Sequence, residues 1–233
     1  MSIISVIRIK EELLNLLRNS DVISTTVRGV TTDSETFNPT STVSYLELSV
    51  TPVKNIRSVT KNSVALTYGK DYNLNLYGKS PALAKRVDFT TDLVNGDEVV
   101  IQYDYTTSTD TKTGNLVGDR VYADLPQEFL TTSKYPRVGF QIDTIPGNPR
   151  DLQHKLTQKN FVFSFGVFAK NIDLDTLYEA VDTVLFNNRK TLYYLNVLVY
   201  QGTSPKELTP NTSKSIFQIL WSYNAPLEFQ KES

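Results

Sequence analysis

Cysteine is absent from the 233 residues, and histidine, tryptophan and methionine occur once each. Without cysteine there is no disulfide framework, no thiolate nucleophile and no thiolate metal site, and the redox compartment stays open. The single imidazole, His154, would have to serve a serine triad alone, or hold a metal beside carboxylates from distant segments. It sits in the polar run Asp151-Leu-Gln-His-Lys-Leu156 and reads as a structural histidine. No Gly-Xaa-Ser-Xaa-Gly elbow occurs either. Charge of one sign is also lacking: 24 Lys plus Arg stand against 25 Asp plus Glu, a net charge of -1. Holding a polyphosphate takes a basic excess, so sustained non-specific nucleic-acid binding is not expected. No stretch approaches ~20 apolar residues, and Arg8, Lys10, Glu11 and Glu12 interrupt the opening apolar run too early for a secretory leader. The expectation is a chain that stays in the cytoplasm where it is made. It should have no membrane partner, no catalytic residues, no cofactor and no metal.

What is present is aromatic and β-branched. Eleven Phe and 13 Tyr supply large areas for a core. Val6, Ile9, Leu13, Leu16 and Leu17 recur at three- and four-residue steps, which predicts an amphipathic helix between Ser5 and Asn19. Val22 to Gly29 is β-branched and reads as a strand, and Thr31 to Pro39 as a polar loop. From Tyr45 to Tyr105 short alternating runs are separated by turn residues at Asn62-Ser63, Gly69-Lys-Asp71 and Asn95-Gly96-Asp97, the pattern of a small all-β unit. Thr106 to Asn115 has no aliphatic residue and reads as a linker.

Beyond the linker, Val138, Phe140 and Ile142 alternate along one strand, and Phe161, Phe163, Phe165 and Val167 along the next. Asn171-Ile-Asp173 opens a helix whose face carries Leu174, Leu177, Tyr178, Val181, Val184 and Leu185. Strands at Leu192 to Tyr200 and Ser215 to Tyr223 follow. Neighbouring strands without crossover helices pair antiparallel, and two amphipathic helices cover one face only. The fold class expected is α+β: an antiparallel sheet with two helices on one face, plus an inserted small β-sandwich-like domain. Residues 1–42 and 108–233 form the α+β domain and 43–107 the insertion.

Several near-motifs have bland explanations. Asn73-Leu-Asn-Leu-Tyr-Gly-Lys79-Ser80 has Asn where a phosphate loop needs its first Gly, and it lies in an all-β segment. Asp173 and Asp175 point about 200° apart on a helix and suit capping, not a shared proton. Asp88, Asp92, Asp97, Asp104 and Asp110 lack calcium-loop spacing, and hairpin ends account for most of them. The stripe Phe161, Phe163, Phe165 reads as core. Tyr68, Tyr72, Tyr77, Tyr103 and Tyr105 suit either a small core or a saccharide-stacking surface.

Two resemblances follow from these residues. Val64-Ala-Leu-Thr-Tyr-Gly-Lys-Asp-Tyr72-Asn-Leu, Arg86-Val-Asp-Phe89 and Leu93-Val-Asn-Gly-Asp-Glu-Val-Val-Ile-Gln-Tyr103 resemble the small immunoglobulin-like modules inserted into tailed-phage virion proteins, over about sixty residues. The remaining frame is similar in element order to the tail terminator and neck completion proteins of long-tailed phages. The resemblance implies a virion structural protein that forms a ring, usually a hexamer. Such a ring caps the tail tube, ends its polymerisation and joins it to a neck or connector protein. It implies a location in the virion tail or neck after assembly in the host cytoplasm, and a lumen through which DNA passes without specific binding. The near-neutral charge agrees with that lumen. A ring needs an open sheet edge or face, which makes Val138, Phe140, Ile142, Tyr194 and Val197 the candidate subunit or tube interface. The alternative is a host-surface or carbohydrate-binding virion module, with Tyr72 and Tyr77 as its exposed surface.

Overall fold

A computed structural model describes residues 6–74, 85–106, 120–125, 135–145, 156–170, 173–195, 198–203, 207–208 and 216–230. Mostly antiparallel sheets dominate, with three helices among the described residues. In chain order these are helices α1 (Val6–Asn19) and α2 (Thr25–Arg28) and strands β1 (Thr31–Phe37), β2 (Val43–Glu47), β3 (Val53–Lys61), β4 (Val64–Ala65), β5 (Tyr72–Leu74), β6 (Arg86–Leu93) and β7 (Val99–Tyr105). There follow β8 (Val121–Tyr122), β9 (Arg137–Ile145), β10 (Leu156–Lys170), α3 (Asp173–Asn188), β11 (Val199–Thr203), β12 (Glu207–Leu208) and β13 (Ile216–Gln230). The chain divides into two compact units, one made of Met1–Lys10 and Arg120–Ser233, the other of Glu11–Asp119.

The Glu11–Asp119 unit contains two antiparallel sheets, β1-β7-β3-β4 and β2-β6-β5. They share one core in which Leu48, Val53, Ile56, Val59, Tyr72, Leu74, Val87, Phe89, Leu93, Val99, Ile101 and Tyr103 are buried. Val99, Ile101 and Tyr103 show the period of two that turns one strand face inward. Asn62 and Ser63 both take positive φ, 50° and 65°, the backbone of a two-residue hairpin turn between β3 and β4. Gly96 does the same work between β6 and β7 at φ 92°.

The division differs from the expected one at 42/43 and 107/108. β1 runs antiparallel to β7 from Thr31↔Tyr105 to Phe37↔Val99, which draws residues read as a polar loop into the β unit. As an edge strand β1 exposes both faces along most of its length, so its sequence carries no alternation to betray it. The strand expected at 22–29 is instead the single helical turn α2. The Ser24 side chain accepts from Val27 N–H, and Gly29, left-handed at φ 75°, closes the turn by donating to Thr25 and Thr26 carbonyls. Cap and stop override the β propensity of Thr25, Thr26 and Val27.

In the unit containing residues 120–233, β11-β13-β10-β9-β8 form a sheet, with β12 also on β13. Every pairing is antiparallel except the short parallel pairing of β8 with β9. Val138 N–H donates to Arg120 O at 2.8 Å at that junction. Gly139 is required there because a Cβ would overlap the carbonyl oxygen of Asp124. α3 packs on β10 and β13. Leu174, Leu177, Val181 and Leu185 are buried along it, each contributing about 1.5–3 kcal/mol of transfer free energy. The expected second helix is divided between the units, with α1 up to Lys10 grouped with this sheet. From Glu11 onward α1 belongs to the other unit, where Asn15 accepts from Ile56 N–H and Asn19 and Arg18 donate to the Ile56 and Lys54 carbonyls of β3. Amphipathicity shows that a helix has a covered side and leaves the covering element unspecified.

Candidate interaction surface

A line of aromatic rings crosses the sheet beneath α3. Phe140 of β9 lies 5.6 Å from Phe165 of β10, Phe165 lies 5.9 Å from Tyr223 of β13 edge to face, and Tyr223 lies 5.6 Å from Tyr200 of β11. Register explains the line: Phe165 faces Phe140, and Tyr223 faces Tyr200. The first three rings are buried and the last is 46 % exposed, so the apolar stripe runs out into solvent at the β11 edge. Val199 beside it is 47 % exposed.

The end of α3 adds to this edge. Leu198 N–H donates to Arg189 O at 3.2 Å, which fixes the start of β11 next to the helix terminus. There Phe186 is exposed and carries the Arg189 guanidinium 3.8 Å above its ring. Tyr193 is exposed with its ring 5.0 Å from Tyr194. Tyr223 donates its hydroxyl to Asp182 Oδ1 at 2.6 Å, tying β13 to α3. Burial, and then that carboxylate, push the Tyr223 phenol well above its ordinary range, so it remains a proton donor at any physiological pH. The patch is therefore mounted on a fixed support.

On the opposite side of the sheet β8 pairs with Val138 and Gly139 only. From Phe140 to Ile145 the outer backbone edge of β9 has no strand partner among the described residues. Among the described residues the sheet ends at β11 on one side and at β8 and β9 on the other.

The sequence-predicted residues fall as follows. Val138 and Phe140 are corrected: both are wholly buried, because their side chains point into the core under α3, and only their strand's backbone edge faces outward. Ile142 and Tyr194 are half-buried. Val197 and Tyr77 lie outside the described residues, as do His154 and most of the near-phosphate-loop from residue 75. Tyr72 is corrected as well. It is 3 % exposed inside the two-sheet core, edge to face with Tyr68 at 5.4 Å, and burial raises its phenol above the ordinary range. A sugar cannot stack on it. The strand expected at 192–200 begins only at Val199; residues 189–191 turn, and Tyr193 and Tyr194 lie in a bend. Phe161, Phe163 and Phe165 are core, as their period requires. No group of three or more His, Asp or Glu able to hold a metal occurs among the described residues.

Sequence reasoning missed a charged constellation in the Glu11–Asp119 unit. Asp104 and Arg28 have fully buried side chains and meet at 3.2 Å. Arg57 also bonds Asp104, with Nε 3.0 Å from each carboxylate oxygen, and Thr32 donates to Oδ1 at 2.7 Å. Arg57 continues outward to Asp21 through two bonds of 2.7 Å, and Arg28 donates to Asn55 Oδ1 and Arg18 O at 2.9 Å. Bonds to Asp21 and Asp104 hold the Arg57 guanidinium more firmly protonated than usual. Two cations, Arg28 and Arg57, stand against two anions, Asp21 and Asp104. The cluster bolts α2 and the end of α1 to β3 and β7. Spacing alone cannot bring residues 28, 57 and 104 together.

No protein-family model matches this chain, and no curated protein matches it.

Proposed function

We propose that this chain is a virion structural protein, a subunit of a ring at the head-proximal end of a tail tube that stops tube growth and joins tail to neck. The unit carrying residues 120–233 is the tail-terminator-like frame in this reading, and the β unit is the virion-type module. The observation that carries it is the β11 edge, where Val199 and Tyr200 end a buried aromatic stripe in solvent. The β11 edge of one copy adding to the β8/β9 side of the next copy's sheet makes a head-to-tail contact, the kind that closes into a ring. DNA would slide through the lumen without being gripped.

Light scattering with negative-stain imaging tests it, using the full chain and the double substitution Val199→Lys, Tyr200→Lys. The expected result is a ring that docks on tail-tube ends and a double variant that stays monomeric with an unchanged circular dichroism spectrum. A chain that remains monomeric at high concentration and never associates with tubes would overturn the proposal. The glycan-binding alternative loses its motive at Tyr72, whose ring is enclosed.

A further inference from the structure

Arg137, at the start of β9, is 6 % exposed, and its Nε is buried with no hydrogen-bond acceptor. Its guanidinium carbon lies 3.8 Å over the Tyr122 ring. The sole carboxylate it meets among the described residues is Asp124, whose Oδ1 lies 3.3 Å from Nη2, a long contact for a charge-assisted bond. The Asp124 side chain is itself 70 % exposed. Around them Tyr135 and Phe168 are buried with Leu125 against them, and Arg120 donates to the Tyr135 carbonyl.

An arginine presents Nε and Nη2 as two parallel donors on one edge, which match the two oxygens of a carboxylate. Here one donor has a long contact and the other has none, although both have been taken out of water. Leaving a buried charged donor unpaired is unfavourable, and native folds seldom do so without a reason. The aromatic ring beneath and the apolar neighbours fix the plane of the guanidinium, so the fork is held ready. Asp124 is carried on a solvent-facing side chain by a single bond and is readily displaced.

We infer that the Nε/Nη2 edge of Arg137 is a receiving site for a carboxylate, and that Asp124 occupies half of it until that carboxylate arrives. The incoming group makes two parallel bonds where Asp124 makes one. Its source is either an acidic side chain of a second copy or a free small carboxylate, and the same measurement separates the two.

The readout is the Nε–Hε resonance of Arg137 in the 15N-labelled full chain, assigned by its loss in Arg137→Lys. Sodium acetate at fixed, low protein concentration should move this resonance saturably, and sodium chloride at equal ionic strength should not. Asp124→Asn changes an exposed side chain and removes the competitor, so it should saturate at several-fold lower acetate. Concentrating the chain without acetate moves the same resonance if a second copy supplies the group, and leaves it still if the ligand is a small molecule. A resonance indifferent to both acetate and concentration, or shifted equally by chloride, overturns the inference. So does an Asp124→Asn chain that binds acetate no tighter than the parent.

Discussion

Replacing Asp104 by Asn removes one negative charge and almost no volume, and it should be among the most damaging single changes in the Glu11–Asp119 unit. Arg28 has no exposed side-chain surface, and it meets the equally buried Asp104 carboxylate at 3.2 Å. Asp21 is 3.9 Å away and 45 % exposed, so its field is largely screened. Asn55 offers a neutral acceptor at 2.9 Å, which satisfies a hydrogen bond without balancing the charge. Arg57 loses the partner it grips through both oxygens but keeps Asp21. Removing one member of such a buried pair costs about 3–5 kcal/mol. At a urea dependence of about 2 kcal/mol per molar, the midpoint should fall by about 2 M. The assay is urea unfolding followed by near-ultraviolet circular dichroism, with Arg57→Gln as the comparison. The Arg57 change should cost less, because one end of its ion-pair chain is in solvent. A loss below about 1 kcal/mol for Asp104→Asn would refute the reasoning, since it would mean water or relaxation already compensates Arg28.

Gly139→Ala should cost about 1–3 kcal/mol, because its Cβ would overlap the Asp124 carbonyl and force β8 off β9; thermal unfolding and amide exchange at Val138 report it. Tyr223→Phe should lose about 1 kcal/mol with its bond to Asp182 and leave the ring stacking intact, as calorimetry would show. Lys61, the Val94 amide and Asn62 hold the Asp97 carboxyl below its ordinary 3.8. Its contribution to the junction of the two hairpins is therefore present at neutral pH and is lost as pH falls through that lowered value. A carboxyl carbon titration should put the Asp97 midpoint below 3.8, and Lys61→Met should raise it. Tyr72→Ala should destabilise the β unit by about 3–5 kcal/mol, measured by urea unfolding, because a buried ring is removed from a closed core.

Local pattern was enough wherever one element declares its own covered face. The steps from Ile9 to Leu17, the alternation at Phe161, Phe163 and Phe165, and the turn residues Asn62-Ser63 and Gly96 identified a helix, a core strand and two hairpins. Each of those signals lies within a few residues, where chain geometry alone links sequence to conformation. The polar edge strand β1 and the capped turn α2 escaped, because neither presents an alternating apolar face. The interface residues divided on the same principle. Alternation correctly marked Val138 and Phe140 as facing one way, but which way is inward depends on where α3 lies. Their side chains are core.

Composition by itself determined that no cysteine chemistry exists in this chain and that charge is nearly balanced. Only the tertiary structure joined Arg28, Arg57 and Asp104 across 76 residues, assigned the segment from Glu11 to the β unit, ended the aromatic stripe at an exposed Tyr200, and left the Arg137 Nε without an acceptor. Burial and pairing are properties of what surrounds a side chain. Those surroundings come from residues far away in the sequence, which no local period can report.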